Sequence, residues 1–313
     1  MPTEPELDQP PVVSAVIATH NRPELLRRAV KAVIGQTYTG PLECIVVFDG
    51  TEPDESLTEL AISGAGPRQI IVVRNDRAGG LAGARNTGIL AAIGTFIAFC
   101  DDDDWWMPDK LRQQLETFAD PGVVCSVTGI KVIYGEKESL RIPSATTITL
   151  EELVRRRVME AHPSSVVVRS ESLILDIGLV DEAIPGSYGE DFDWILRAAH
   201  AGTISAVRAP LVEVQWGQSL FSRNWQTIID AIDYLVDKHP ELRESSKGLA
   251  RLTGRRAFAL AALGRRRESL ADVRRTMRLS FTERRAYVAA LVALRIVSAE
   301  RLLAVAHKRG HGI

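Results

Sequence analysis

The first hundred residues alternate short apolar runs with longer amphipathic segments. Four runs lack polar alternation, as strands buried on both faces do: "VVSAVIAT", "LECIVVFD", "QIIVVRND" and "TFIAFCD". Between the first two lies "PELLRRAVKAVIG", and between the last two "GLAGARNTGILAAIG", both with apolar residues at helical spacing. Strands that alternate with helices predict an α/β fold built on a doubly wound, mostly parallel sheet.

The pattern changes at about residue 123. Shorter strand-like stretches follow, "VVCSVTGIKVIYG" and "SSVVVRS", then the helical "GEDFDWILRAAHAG" and a further strand region, "TISAVRAPLVEVQW". Beyond Asn224 the apolar spacing is helical throughout. These changes predict a flexible acidic, Pro-rich leader, two α/β halves and a C-terminal helical appendage, at residues 1–11, 12–122, 123–224 and 225–313.

Charge separates the appendage from the rest of the chain. Residues 241–313 contain 17 Lys and Arg against 6 Asp and Glu, whereas the first 240 residues contain 21 against 34. No uncharged apolar run approaches the roughly 18 residues of a membrane-spanning helix. The three cysteines, Cys44, Cys100 and Cys125, have neither metal-ligand spacing nor an even number for disulfides, and they predict reduced residues in a cytosolic protein.

Polar residues end all four apolar runs of the first half. They occupy positions 19–22, 49–51, 74–76 and 101–104, the last being four consecutive aspartates. Because ligands of such sheets bind beyond the carboxyl ends of the strands, we expect one composite site. Clustered carboxylates raise one another's pKa values unless a cation neutralises them, and hard oxygen ligands suit Mg²⁺, Mn²⁺ or Ca²⁺. The alternative is a solvated acidic loop that caps the following helix.

Five segments resemble, in order and spacing, family-2 glycosyltransferases of the GT-A fold over residues 12–220. They are "AVIATHNRPELLRRAV", "CIVVFDGTEPD", "GLAGARNTGI", "GTFIAFCDDDDWWMPDKL" and "GLVDEAIPGSYGEDFDWILRAAHAG". The resemblance implies an inverting, metal-dependent enzyme whose half 12–122 binds a UDP-, dTDP- or GDP-sugar and whose half 123–224 binds the acceptor. Phe48 stands where most members place an Asp. That departure leaves open a non-catalytic nucleotide-sugar-binding or scaffolding member.

The same resemblance implies roles for the residues of the aspartate quartet, Asp101 to Asp104. Asp103 matches the direct ligand of a Mn²⁺ or Mg²⁺ ion, and Asp101 lies near the donor ribose and the metal. Asp102 and Asp104 support the turn or the donor. The other implied donor-binding residues are Thr19, Asn21, Arg22, Asp49 and Arg85.

The motif "GEDFDW" matches the segment that carries the family's general base, which implies that Asp191 deprotonates the acceptor hydroxyl. Capping of the following helix by Glu190 and Asp191 is the structural alternative. The family's usual metal-contacting histidine is absent after the next strand, and His162 is an alternative polar group near the acceptor. Three tryptophans, for which core packing is the alternative, offer rings that could stack on sugars: Trp105, Trp106 and Trp216.

The acceptor class stays open among glycans, lipid-linked glycans and small molecules. The basic C-terminal helices suit a packed appendage, a homodimer contact or a peripheral contact with anionic lipid at the inner face of the membrane. They lack the interleaved aromatics of a nucleic-acid interface, so we expect no nucleic-acid partner.

Overall fold

A computed structural model describes residues 10–60, 64–216 and 224–302. Most of the predicted leader and the last eleven residues of the appendage lie outside the described residues. Within these ranges ten strands form one sheet: β1 (Val13–Thr19), β2 (Leu42–Phe48), β3 (Arg68–Arg74), β4 (Phe96–Asp101), β5 (Asp104–Trp106), β6 (Val123–Tyr134), β7 (Lys137–Arg141), β8 (Thr147–Ile148), β9 (Val167–Arg169) and β10 (Thr203–Gln215).

The strands follow the order β3-β2-β1-β4-β9-β6-β10-β5, with β7 and β8 paired to β6 and β10. The first four are mutually parallel, and β6 and β10 are also parallel. Strand β9 enters antiparallel between β4 and β6, and it joins the two predicted halves into one sheet. The predicted α/β fold with a largely parallel sheet is confirmed, while the division into domains stays a prediction.

Helices cover the sheet and continue beyond it. The described helices are α1 (Pro23–Ile34), α2 (Leu81–Ala91), α3 (Lys110–Thr117), α4 (Leu150–Arg155), α5 (Ser170–Ser172), α6 (Glu190–Ala201), α7 (Trp225–Lys238), α8 (Glu241–Glu244), α9 (Ser246–Ala262), α10 (Arg266–Leu279) and α11 (Arg284–Ala293). Helices α7 to α11 form the predicted C-terminal appendage. Gly264, with φ of 77°, ends the segment before α10, a conformation that glycine adopts without strain.

The core lies on both faces of the sheet because successive side chains of a strand point to opposite sides. In β1, Val16 and Ala18 pack into one apolar cluster. Ala15 and Ile17 pack into the other. Every residue of β1 is therefore buried, which explains why the run shows no polar alternation.

The appendage has an apolar cluster of its own, in which Phe258 of α9 packs against residues of α10 and α11. Trp225, at the start of α7, meets the Phe258 ring edge to face at 5.6 Å between centroids. Among the described residues, no helix combines the length and the apolar character that crossing a bilayer requires.

A buried carboxylate ties the appendage to the sheet domain. Asp193 in α6 is fully buried, and its Oδ1 lies 2.7 Å from Lys238 Nζ and 2.8 Å from His239 Nε2 at the end of α7. Its Oδ2 accepts hydrogen bonds from Arg197 at 2.7 and 3.0 Å. These partners hold the pKa of Asp193 well below its usual range, although burial alone would raise it.

We predict that Asp193→Asn lowers the free energy of unfolding by about 3–5 kcal/mol, because it removes a buried carboxylate that Arg197, Lys238 and His239 share. A depressed carboxyl pKa stabilises the fold fully above the unfolded value of about 4, and this contribution is lost at lower pH. Urea denaturation should therefore show a difference from the wild type at pH 7 that shrinks below about pH 4. Asp237→Asn, at an exposed ion pair with Arg243, is the control and should change stability by less than about 1 kcal/mol. An equal loss in both variants would contradict the anchoring role of Asp193.

Candidate active site

The aspartate quartet lies at the carboxyl edge of the sheet, where β4 ends at Asp101 and β5 begins at Asp104. Asp102 and Asp103 form the turn between these strands. Each carboxylate has partners of its own, supplied by the loop after β1, by α2 and by the segment before β9. The predicted composite site is therefore built around these four side chains, and protein cations carry part of the neutralisation.

The loop after β1 holds the two turn aspartates. Thr19 Oγ1 donates a hydrogen bond to Asp102 at 2.8 Å, and Arg22 Nη1 lies 3.1 Å from Asp102 and 2.8 Å from Asp103. Asn21, with φ of 55°, makes the tight turn that brings Arg22 back over the quartet. Burial and the charge of Asp101 raise the pKa of Asp103 to about 6, and Arg22 opposes them.

Arg85 bridges two further carboxylates from the buried face of α2. Its Nη2 lies 2.6 Å from Asp101, and its Nη1 is paired with Glu190 at the start of α6. Burial disfavours the charged form of Asp101, yet Arg85, His162 and Arg22 together outweigh burial and lower the pKa of that carboxyl. Burial raises the pKa of Glu190 to about 7 against the attraction of Arg85. The predicted donor residue Arg85 therefore links the quartet to the predicted base segment.

Asp104 is the most buried of the four, with 1% of the residue exposed. Its Oδ2 accepts from Ser164 Oγ at 2.5 Å and lies 3.4 Å from His162 Nδ1. Burial raises the pKa of Asp104 well above its ordinary value, and burial lowers that of His162. Donor atoms of Asp101, Asp104 and His162 all lie within 4.8 Å of one another. His162 therefore lies beside the quartet. Its predicted contact with the acceptor stays a prediction.

Asp49 begins the loop after β2, and its carboxylate holds neighbouring segments together. Its carboxylate accepts from Asn75 Nδ2 at 2.8 Å and from the backbone N–H of Gly80 at 2.9 Å, and this second bond positions the start of α2. Phe48, the residue that replaces the family's usual Asp, is buried at the end of β2.

Asp191 lies in the first turn of α6. Gly189 precedes this helix in the left-handed conformation, with φ of 85°, which turns the chain so that Glu190 and Asp191 follow at once. Asp191 lines a cavity together with Arg85, Glu190 and Pro163. Asp191 is half-buried, whereas Glu190 is buried. Its Oδ1 accepts only from the backbone N–H of Phe192 in the described part of the chain.

Trp106 lies in the apolar cluster that contains Ala15 and Ile17, and Trp216 packs against that cluster. Trp105 and Trp106 are 6% and 3% exposed. Arg28 covers the Trp105 ring at 3.1 Å from its centroid, and Trp106 Nε1 donates to the Ser164 carbonyl at 2.9 Å. Trp216 is half-buried at the end of β10. Burial favours core packing for Trp105 and Trp106, and sugar stacking stays a prediction.

Two residues that position the site were not assigned such roles by sequence. Ser164 joins Asp101 and Asp104, because its Oγ accepts from the Asp101 N–H at 2.9 Å and donates to Asp104. Asn86 lies in the middle of α2. Its side-chain Nδ2 donates to the Val180 carbonyl and its Oδ1 accepts from the Val180 N–H, so Asn86 holds the segment before α6 against α2. The Arg-Asn pair of "GARN" was the one signal that pointed to Asn86.

Comparison with known proteins gives a consistent result. A family model described as "Glycosyl transferase family 2" matches residues 14–174. Succinoglycan biosynthesis protein ExoO of Rhizobium meliloti is 32% identical over 168 residues, 53% of this chain and 46% of that protein. The Escherichia coli UDP-Glc:alpha-D-GlcNAc-diphosphoundecaprenol beta-1,3-glucosyltransferase WfaP is 34% identical over 104 residues, 33% of this chain and 40% of that protein. The matches span less than half the length of either relative.

Solved structures share the fold at lower identity. S. aureus TarS 1-349 in complex with UDP superposes with a TM-score of 0.61 at 15% identity, covering 96% of this chain and 92% of that one. The mannosyltransferase PcManGT from Pyrobaculum calidifontis, in complex with GDP-Man and Mn²⁺, gives 0.55 at 16% identity, covering 96% and 85%. These likenesses confirm the predicted GT-A fold class. Since the family model also spans half of the chain, the protein belongs to glycosyl transferase family 2.

Proposed function

We propose that the protein transfers a glycosyl group from a nucleoside-diphosphate sugar to an acceptor hydroxyl in one in-line displacement with inversion. The observation that carries this proposal is the bridge made by Arg85 between Asp101 of the quartet and Glu190, next to Asp191. Arg85 thereby connects the quartet to the cavity that Glu190 and Asp191 line. Departure of a diphosphate and attack by a hydroxyl require a metal-ligating cluster and a base. Structural neighbours solved with UDP and with GDP-Man and Mn²⁺ support a nucleotide donor.

We assign the divalent cation to Asp103 and Asp101. Carboxylate oxygens fit Mn²⁺ or Mg²⁺, and the Asp103 side chain, 32% exposed, is open to a ligand where Asp104 is not. His162, kept neutral by burial, adds a nitrogen donor beside Asp101. When bound, the cation supplies Lewis-acid stabilisation of the charge on the departing nucleoside diphosphate.

We assign the general base to Asp191 in preference to Glu190. Glu190 is occupied by Arg85 and is 5% exposed. Asp191 keeps one carboxylate oxygen without a hydrogen-bond partner in the described residues, and it faces the cavity. A free, partly solvated carboxylate at that place can accept the proton of an acceptor hydroxyl as the new bond forms.

A thermal-shift series tests donor and metal together. We expect one of UDP, GDP and dTDP to raise the melting temperature in the presence of Mn²⁺ and to do so far less after chelation. A ligand at 100 times its dissociation constant stabilises a protein by about 2.7 kcal/mol, which is a shift of several degrees. Asp103→Asn should lose the Mn²⁺-dependent part of the shift, whereas Glu136→Gln, at an exposed position, should keep it. No stabilisation by any nucleotide would contradict the proposal.

The acceptor is proposed to be a glycan hydroxyl. A lipid-linked acceptor is supported by the name of the Escherichia coli relative, which acts on a diphosphoundecaprenol-linked sugar. Exposed Phe281 and Ile296 lie on the basic appendage and are consistent with the predicted peripheral membrane contact. That contact, a homodimer and a cytoplasmic location stay predictions.

A further inference from the structure

Four arginines meet where the appendage packs on the sheet domain, and we call them the arginine cluster: Arg157, Arg251, Arg255 and Arg285. Arg251 and Arg255 are one turn apart on α9, Arg157 follows α4, and Arg285 lies in the first turn of α11. Helix α9 contacts both neighbours closely. A methyl group on Gly248 would lie 2.1 Å from the Val154 carbonyl oxygen, and one on Gly254 would lie 3.1 Å from Arg285 Cβ.

The arginine cluster faces the segment that carries the proposed base. Arg255 Cζ lies 5.1 Å from the ring centroid of Tyr188, and Arg251 Cζ lies 5.3 Å from that of Phe192. Tyr188 and Phe192 flank Asp191 in the sequence, three residues before it and one after. The cluster is therefore next to the place where an acceptor hydroxyl must lie, and its members are distinct from Arg22 and Arg85, which contact the quartet.

In the part of the chain that the structure describes, carboxylates do not balance this charge. In the described ranges only Arg285 of the cluster forms an ion pair, at 2.9 Å with Glu283. Arg251 Nε and Nη2 and Arg285 Nε are buried without a hydrogen-bond partner in the same ranges. Glu283 acts electrostatically on Arg251, and Asp191 acts on Arg255.

The guanidinium groups of the arginine cluster therefore repel one another. Burial, together with the guanidinium groups of Arg285, Arg157 and Arg255, lowers the pKa of Arg251 to about 10. Partly buried cations without counterions are costly to a fold, and such groups are normally paired. An anionic ligand at this place would remove that cost.

We propose that the arginine cluster binds a phosphate or diphosphate group of the acceptor and so selects acceptors whose sugar is carried on phosphate. A guanidinium group can donate two parallel N–H hydrogen bonds to the oxygens of one phosphate. Four positive charges also suit a phosphate or diphosphate better than a carboxylate, which carries a single negative charge. The inference rests on the proposed function, because it requires Asp191 to act on the same molecule. The phosphoryl group has two sources, a lipid-linked diphosphate or a soluble sugar phosphate.

Calorimetric titration with decyl diphosphate tests the site, with UDP and Mn²⁺ present to fill the donor site. We expect Arg251→Gln/Arg255→Gln to bind decyl diphosphate at least 10-fold more weakly than the wild type. Arg274→Gln/Arg275→Gln, which removes two exposed arginines of α10, should bind as the wild type does. The first variant relieves repulsion, so its melting temperature should not fall. Equal binding by both variants, or binding of neutral decyl glucoside as tight as that of the diphosphate, would overturn the proposal.

Two further probes separate the sources and the hypotheses. Tighter binding of decyl diphosphate than of inorganic pyrophosphate supports a lipid-linked acceptor. Equal binding of the two, with the same loss in the cluster variant, supports a soluble phosphorylated acceptor. Nucleotide binding with Mn²⁺ should be unchanged in the cluster variant. If the wild type binds no nucleotide, the proposed function fails while the decyl diphosphate comparison still tests the arginine cluster.

Discussion

Asp191→Asn is expected to abolish glycosyl transfer and to leave the nucleotide bound. General-base catalysis contributes about 10²- to 10⁴-fold to the rate, and an amide cannot accept the proton. The substitution preserves shape, and the Asn oxygen can still accept the Phe192 N–H bond that Asp191 Oδ1 accepts at 2.8 Å. Release of nucleoside diphosphate from the donor sugar, in the presence of acceptor, measures transfer. The Mn²⁺-dependent thermal shift measures donor binding in the same samples.

Two further variants test whether the loss of transfer is specific to Asp191. Asp176→Asn, at an exposed position, should behave as the wild type. Glu190→Gln should alter both stability and activity, because it removes a partner of Arg85. More than a tenth of wild-type transfer in Asp191→Asn would contradict the assignment of the base. A wild-type protein that binds nucleotide but releases no nucleoside diphosphate from any nucleotide sugar would support the scaffolding alternative.

The centre of the sheet was predictable because β1, β2 and β4 are buried on both faces, whereas β3 at the edge of the sheet is only partly buried. Every residue of β1 and β2 is buried, so the largely apolar runs "VVSAVIAT" and "LECIVVFD" mark them without any knowledge of the fold. The location of the site followed from the same runs, since parallel strands place their polar ends on one edge. Strand β9 was recognisable from "SSVVVRS", but its antiparallel insertion beside β4 depends on tertiary packing.

The partners of the site residues were beyond prediction for a physical reason. Arg85 and Glu190 are 105 positions apart, and the pairing arises only when α2 and α6 approach over the sheet edge. Asp193 shows the same limit, since "GEDFDW" offers three acidic residues and burial alone separates the anchor from the candidate base. Charge repulsion in the quartet predicted a need for cations, but the pairing of Arg22 and Arg85 with these aspartates arises only in the folded chain.

Arg85→Met is expected to destabilise the fold and to reduce transfer by more than about 100-fold. Removing one partner of a buried ion pair costs about 3–5 kcal/mol, and here two carboxylates, Asp101 and Glu190, lose their cation. Arg85→Lys keeps the charge but cannot bridge both carboxylates through separate nitrogens, so it should recover stability only in part. Urea denaturation and release of nucleoside diphosphate measure the two effects.

The pH dependence of the loss has a definite sign. Burial already raises the pKa of Glu190 to about 7, and removal of Arg85 raises it further. A carboxyl whose pKa is raised in the folded state destabilises the fold increasingly as the pH rises from the unfolded pKa to the folded pKa. The stability deficit of Arg85→Met should therefore be larger at pH 8 than at pH 5.5. A deficit independent of pH would mean that lost packing, and not the unpaired carboxylates, causes it.

A double variant separates charge from position. In Arg85→Met/Glu190→Gln the second substitution removes one unpaired carboxylate, so the protein should be more stable than Arg85→Met alone. Transfer should not recover, because Asp101 still lacks the guanidinium that holds it at 2.6 Å beside the quartet. Recovery of both stability and transfer would mean that Arg85 serves only to neutralise Glu190. Recovery of stability alone would make Arg85 the residue that positions Asp101 for the donor.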